Sequence, residues 1–274
     1  MPEISNAQII IYGGGNMGTA LAKGILHCKL ISANRLIIVE KETTRREVLE
    51  RTMPCVVCET YACKPSQVIL LAVKPDDFEN LATGLVNQAT NGNLVLSVMA
   101  GITVTEIKNR INCTNVVRAI PNTPSSVLKG MSVYYTDAEF DETYNNIAKN
   151  ILDSVGLTIR VTHEEMIDKA TSICGSGPAY LFYIAESMVT CALEFGFSSS
   201  EATTLVNQAL LGAATLLSES KRSPEELRRE VMTPNGTTAA AINYFEAHGV
   251  KEALQGGYRK SFQRSQELGR GKFA

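Results

Sequence analysis

No stretch of the 274 residues approaches the ~18 consecutive apolar residues that a membrane-spanning helix needs. Charge of one sign is also missing: the formal net charge is −2, which gives no electrostatic case for binding nucleic acid or an anionic membrane. Histidine is scarce, with His27, His163 and His248 scattered along the chain. Cysteine is present in an odd number, seven, which excludes a complete intrachain disulfide framework. Three of the seven lie in "CVVCETYAC", at Cys55, Cys58 and Cys63. That C-x-x-C pair has no second pair at zinc-finger spacing, so no metal is expected, only free thiols in a reducing compartment. The opening "MPEISNAQII" lacks the basic and apolar segments of a secretory signal, and a short strand and a cytoplasmic location are expected instead. The chain does have the 45% hydrophobic and 20% charged residues of a globular protein.

The first half alternates short apolar runs with helical stretches. "QIIIYGGG", "RLIIVE", a weaker "CVVC", "SQVILLAV", "LVLSVM" and "NVVRAIP" read as strands. Their continuous Val, Ile and Leu runs predict strands buried on both faces of a mostly parallel sheet, with helices between them. After "VGLTIRVTHEE" the pattern turns wholly helical. "PAYLFYIAESMVTCALEFG" is stopped by Gly196, "SSSEATTLVNQALLGAATLL" follows, and "SPEEL" offers Ser223 as N-cap, Pro224 at the first helical position and Glu226 closing a capping box. The expected architecture is α/β over 1–163, a doubly wound Rossmann-type sheet, followed by an all-helical domain over 164–274. The helices from Pro178 and Ser200 are apolar around much of their circumference, more than one small helical domain can bury. An obligate dimer through that domain is expected.

"IIIYGGGNMGTALAKG" carries Gly13-x-Gly15-x-x-Gly18 between a strand and a helix. The first glycine allows a tight turn, the second lets backbone approach a pyrophosphate, and the third lets the helix pack on the strand. The helix N-terminus offers its free N–H groups to phosphate. The loop Gly13, Gly14, Gly15, Asn16, Met17 and Gly18 is therefore expected to bind a dinucleotide. Glu40 ends the second strand about 20 residues further on, where an acidic side chain accepts from the adenosine ribose and favours NAD. Lys41, Arg45 and Arg46 follow at once and could ring a 2′-phosphate. The signals conflict, with NADH and NADPH both open and the weight leaning to NADH. "LLAVKPDDF" puts Ala72, Val73, Lys74 and Pro75 just beyond a strand's C-terminal end, where open α/β sheets bind ligands. Lys74 reads there as a cofactor contact or as a solvated loop lysine.

"EVMTPNGTTAAAINYF" starts a helix near Thr237 with no ordinary capping side chain ahead of it. Bare N–H groups and the helix dipole make an anion site without any arginine. "RAIPNTPSSV" ends a strand with Asn122, well placed beside a cofactor. Taken together, "GGGNMG", "AVKP", "MAGIT", "RAIPNTPSSV", "SICGSGPAY", "QALLGAA" and "VMTPNGTTAAAI" resemble the pyrroline-5-carboxylate reductase family over almost the whole chain. Two residues depart from the family pattern: Cys174 stands in place of the usual serine, and Asn235 in place of a glycine. Asn235 tolerates left-handed backbone, so the loop is expected to survive.

The resemblance implies hydride transfer from NADH or NADPH to the C=N bond of L-1-pyrroline-5-carboxylate, giving L-proline. It implies that Gly236, Thr237 and Thr238 hold the substrate carboxylate through backbone N–H groups, and that the Thr238 hydroxyl meets the imine nitrogen as the catalytic group. It also implies substrate contacts at Glu164, Ser176 and Gly177, a cofactor contact at Ala100, and dimers assembled into decamers. Glu164 is explained equally well as a carboxylate opening a helix, and Ser176 as an N-cap before Pro178. β-Hydroxyacid dehydrogenases share the layout but use a lysine on the first helix of the second domain. "GPAYLFYIAESM" contains none. A dinucleotide sensor without turnover is the non-enzymatic alternative.

Overall fold

In the computed structural model, residue 4, residues 7–138 and residues 140–270 are described. They form two compact units, one of residues up to Ser176 together with those from Ser261, the other Gly177–Lys260.

The first unit is built on β1 (Ile9–Tyr12), β2 (Leu36–Val39), β3 (Val56–Cys58), β4 (Val68–Leu71), β5 (Leu94–Ser97), β6 (Val116–Ile120), β7 (Gly130–Tyr135) and β8 (Gly156–Val161). They join in one sheet in the order β3-β2-β1-β4-β5-β6-β7-β8. Pairing is parallel from β3 through to β6, the doubly wound arrangement expected from the apolar runs. β1, β2, β4 and β5 are buried at every position, because the pleat sends alternate side chains into cores on opposite faces of the sheet. Ile9 and Ile11 enter one core with Leu21, Ile25 and Leu36; Ile10 and Tyr12 enter the other with Ile69, Leu71 and Phe78.

The helices between strands are α1 (Asn16–His27), α2 (Thr43–Thr52), α3 (Phe78–Leu85), α4 (Val104–Ile111) and α5 (Glu142–Asp153). β7, "GMSVYY", is a strand that the apolar-run reading did not single out, and it runs antiparallel to β6. Only residues 121–129 separate the two, including the turned segment Thr123–Val127 and then Leu128 at a φ of 58°. A parallel return needs a crossover of about a dozen residues or more, so the chain reverses. β8 then pairs parallel to β7.

After β8 the described chain is helical throughout: α6 (Glu165–Ala170), α7 (Gly177–Glu194), α8 (Ser199–Glu219), α9 (Pro224–Val231), α10 (Thr237–Ala247) and α11 (Val250–Arg270). Gly196 ends the α7 region at a φ of 92°, and Ser223 and Glu226 form the expected capping box on α9. Within the second unit α7 packs on α8. α7 has no buried residue, and α8 buries only Ala202 and Val206. Phe182, Tyr183, Leu211 and Leu216 are more than half exposed, an apolar surface of the kind that marks an interaction site.

Cys63 and Cys113 are buried and Cys55 is half-buried, whereas Cys28 and Cys191 are exposed. Burial pushes Cys55 up to about 11, and raises Cys63 and Cys113 as well. These groups stay neutral at physiological pH, and all seven cysteines are free.

Candidate active site

A cleft of about 700 Å³ opens in the first unit beyond the C-terminal ends of β1, β2, β4 and β5. Each glycine of the first turn has a distinct task there. Gly13 takes a φ of 105°, and a Cβ on it would lie 2.6 Å from the Ala72 carbonyl oxygen. A Cβ on Gly18 would overlap the Gly13 carbonyl oxygen, whereas one on Gly15 would meet nothing within 4 Å. The turn, the open approach and the close packing fall on Gly13, Gly15 and Gly18, the order expected of a pyrophosphate loop. Gly15 is also the N-cap of α1, with no side-chain cap, so the first N–H groups of that helix remain available to an anion.

Glu40 closes the loop from the β2 side. It is buried, and its Oε2 accepts the Gly14 N–H at 2.9 Å while its Oε1 accepts the Glu42 N–H at 2.9 Å. Arg45 Nη1 stands 3.4 Å from Glu40 Oε2 and lines the same cleft. Arg46 is engaged elsewhere, donating to the Glu40 carbonyl at 3.1 Å and pairing with Glu59 at 3.5 Å.

Of the residues singled out in the sequence, Gly13, Gly15, Asn16, Met17, Glu40 and Lys41 line this cleft, with Ala72, Val73, Lys74, Pro75 and Ala100. Gly14 and Gly18 support the loop from behind. Asn122 is not among the lining residues: its side chain bonds to the Cys174 carbonyl and the Met131 N–H, both at 2.9 Å. Tyr12, Asp77, Asn80, Leu81, Val98 and Met99 also line the cleft without having been singled out. Strand-end position was the available signal for Tyr12, Val98 and Met99. Asn80 and Leu81 come from one face of α3, which no motif marks.

Glu164 lies just ahead of α6, and its carboxylate joins three elements. Oε1 accepts the Val104 N–H at 2.8 Å at the start of α4, and it also pairs at 3.1 Å with Arg118 of β6. Arg118 is buried, and its other arm reaches Asp168 of α6 at 2.9 Å. Removing Glu164 leaves this buried guanidinium with one carboxylate in place of two, a loss of compensation that is costly out of water. Glu164→Ala is therefore expected to cost about 3 kcal/mol, and a thermal melt should fall by roughly 6–12 °C. Glu164→Gln keeps an acceptor for both donors and should lose under half of that. Equal melts for the two variants would mean that the retained acceptor does nothing and that the charge carries the whole effect.

The chain between α6 and α7 makes a π-helical turn, Thr171–Gly175. Ser176, expected as an N-cap, instead has helical backbone that continues this turn. Its hydroxyl accepts from Ser261 at 3.4 Å.

In the second unit, α10 begins on Gly236, which caps without any side-chain bond. Asn235 ahead of it adopts a φ of 59°, the left-handed conformation that a glycine would take more cheaply. The Gly236 N–H donates to the Thr233 carbonyl at 2.9 Å. The N–H groups of Thr237, Thr238 and Ala239 follow as the orphan donors of a helix start. Thr238 is half-buried.

Residues 164–268 match the family model for pyrroline-5-carboxylate reductase dimerisation, and residues 8–101 match that for NADP oxidoreductase, coenzyme F420-dependent. A pyrroline-5-carboxylate reductase of Synechocystis is 32% identical over 96% of this chain and 98% of its own length. The chain belongs to the pyrroline-5-carboxylate reductase family. Among solved structures, the reductase of Coxiella burnetii is 30% identical, with a TM-score of 0.86 over 96% of this chain and 98% of that one. The Plasmodium falciparum reductase, solved with NADP bound, shares the fold at a TM-score of 0.84, covering 97% of this chain and 99% of its own at 23% identity. Membership in this reductase family makes the chain an NAD(P)H-dependent oxidoreductase that forms homo-oligomers through its helical segment.

Proposed function

We propose that the chain transfers hydride from NAD(P)H to the C=N bond of L-1-pyrroline-5-carboxylate, giving L-proline as the last step of proline biosynthesis. The observation that carries this reading is that two helices, α1 on Gly15 and α10 on Gly236, start on an extended glycine with no side-chain cap, in a chain similar over 96% of its length to reductases of this name.

The loop Gly13–Gly18, Glu40, Lys41, Ala72–Pro75 and Ala100 would hold the dinucleotide. What favours that assignment is a cleft whose glycine backbone leaves room on the Gly15 side. Bound there, the dinucleotide supplies the hydride. The chain's own residues bind, orient and protonate. The N–H groups of Thr237 and Thr238 hold the substrate carboxylate against the positive end of α10; the Gly236 N–H, expected to share in this, is donated to the Thr233 carbonyl, so Gly236 contributes by leaving the approach open. The Thr238 hydroxyl donates to the ring nitrogen, and Ser176, Gly177 and Glu164 are the further substrate residues that the family resemblance implies. A protonated imine is already electrophilic, so orientation carries most of the rate and no histidine is required. The functional boundary falls between 163 and 164, after the last strand. A homodimer is the working unit, assembled further into decamers, in the cytoplasm.

NADH is the proposed donor over NADPH. Glu40 is a buried carboxylate on the cleft wall, and a 2′-phosphate placed beside it would be repelled. Arg45 is half exposed and already paired to that carboxylate, so it offsets the repulsion only in part. Glu40→Ala should then lower kcat/KM with NADH about tenfold and raise it with NADPH, each about 1.4 kcal/mol. A fall with both would reduce Glu40 to a support for Gly14. The test of the whole reading is turnover of pyrroline-5-carboxylate by purified protein with each donor titrated separately. Folded protein that binds dinucleotide without turnover with either donor would point to a sensor.

A further inference from the structure

The π-helical turn leaves a specific polar group without its usual partner. Along a helix, the carbonyl of Cys174 would accept from the N–H four residues on, and that residue is Pro178, which has no N–H. The preceding bonds are also shifted, with the Ser176 N–H reaching back five residues to the Thr171 carbonyl at 2.8 Å. A carbonyl left unpaired here would cost as much as a lost hydrogen bond. Asn122 removes that cost. Its Nδ2 donates to the Cys174 carbonyl at 2.9 Å, and its Oδ1 accepts the Met131 N–H at 2.9 Å where β7 begins. One partner can only accept and the other can only donate, so the amide has a single productive orientation. The side chain is buried. The turn itself lies against the end of β6, since a Cβ on Gly175 would be 3.6 Å from Ile120 Cγ1. Cys174, the departure from the family's serine, turns its thiol inward to the Ala170 carbonyl at 3.2 Å, so its side chain leaves the carbonyl to Asn122.

We propose that Asn122 is a positioning residue: it substitutes for the N–H that Pro178 lacks and so fixes the turn Thr171–Gly175, with Ser176 after it, against the end of β6. Its effect falls on the imine substrate and not on the dinucleotide, unlike the cofactor contact that its place after β6 suggests. The kinetic form of this inference rests on the reductase reading above.

The test compares Asn122→Asp, Asn122→Ala, Pro178→Ala and the double variant Asn122→Ala/Pro178→Ala in the full-length protein. Asn122→Asp keeps the acceptor for Met131 and loses the donor to Cys174. It is expected to raise KM for pyrroline-5-carboxylate at least tenfold, with dinucleotide Kd changed less than twofold. Pro178→Ala restores an N–H at the fourth position, so the penalty of Asn122→Ala should shrink at least threefold in that background. Unchanged KM in both Asn122 variants overturns the proposal. So does a dinucleotide Kd that rises in step with KM, or an equal penalty with and without Pro178. If Asn122→Asp does not fold, the Asn122→Ala pair decides. Amide exchange over residues 171–176 gives the same comparison without turnover: at least tenfold faster in Asn122→Ala and slowed again in the double variant. A wild-type protein inactive on the imine would thus sink the reductase reading while leaving this coupling measurable.

Discussion

Gly18→Ala should abolish measurable binding of both NADH and NADPH, a loss of at least 100-fold, and lower the melting temperature as well. The added Cβ would overlap the Gly13 carbonyl oxygen, and a backbone atom cannot rotate away as a flexible side chain does. The strain would have to be relieved by lifting α1 off β1, at a cost of about 3 kcal/mol in packing. That movement breaks a set of bonds acting together. The Gly13 N–H donates to the Val39 carbonyl at 2.9 Å, the Gly14 N–H to Glu40 at 2.9 Å, and the Thr19 hydroxyl to the Gly14 carbonyl at 2.9 Å. Gly15→Ala provides the contrast, because a Cβ there meets nothing within 4 Å. Its melt should match wild type, and the cost should show only when a dinucleotide is added. Calorimetric titration with paired melts reads both. Loss of stability in Gly15→Ala, or dinucleotide affinity within threefold of wild type in Gly18→Ala, would remove the packing argument for this loop.

The division of labour among helix starts extends that argument. α2, α4, α5, α8 and α9 are capped by the side chains of Glu42, Thr103, Asp141, Ser198 and Ser223. Each such cap is worth about 1 kcal/mol. Four of the described helices go without: α3 and α6 follow on from residues already in helical conformation, Asp77 and Glu164, whereas α1 and α10 start fresh on an extended glycine. A helix that starts fresh on a bare glycine keeps its first N–H groups for something else, and α1 and α10 carry the two anionic ligands in the proposed reaction. The difference was legible in the sequence, because "SPEEL" and "PNGTT" can be told apart without coordinates. The doubly wound sheet was equally legible, since strands buried on both faces must be apolar at every position. β7 was not. "GMSVYY" mixes small, polar and aromatic residues, and its direction depends on a turn only a few residues long. Asn122 was read as a site residue from its place after β6, but its partners at Cys174 and Met131 are set by tertiary contact that no local pattern encodes. Glu164 was open to two readings, and its bond to a helix start 60 residues earlier gives the structural one a concrete form.

On the proposed reading, Thr238→Ala should lower kcat about 100-fold, the low end of what a positioned proton donor contributes. KM should change less than threefold, because the carboxylate is held by backbone N–H groups that the substitution leaves in place. The variant also separates catalysis from folding by sign. Thr238 is the second residue of α10, and alanine is the better helix former by a few tenths of a kcal/mol. The melt should therefore hold or rise while turnover falls. Thr238→Ser keeps a hydroxyl and should recover most of the rate, whereas Thr238→Val keeps the shape without it and should behave as alanine does. Steady-state kinetics at saturating dinucleotide decides the matter. Full turnover in Thr238→Ala would leave orientation alone to carry the reaction, with the ring nitrogen protonated from water. An intermediate result, with serine and valine equally impaired, would assign Thr238 a packing role at the helix start.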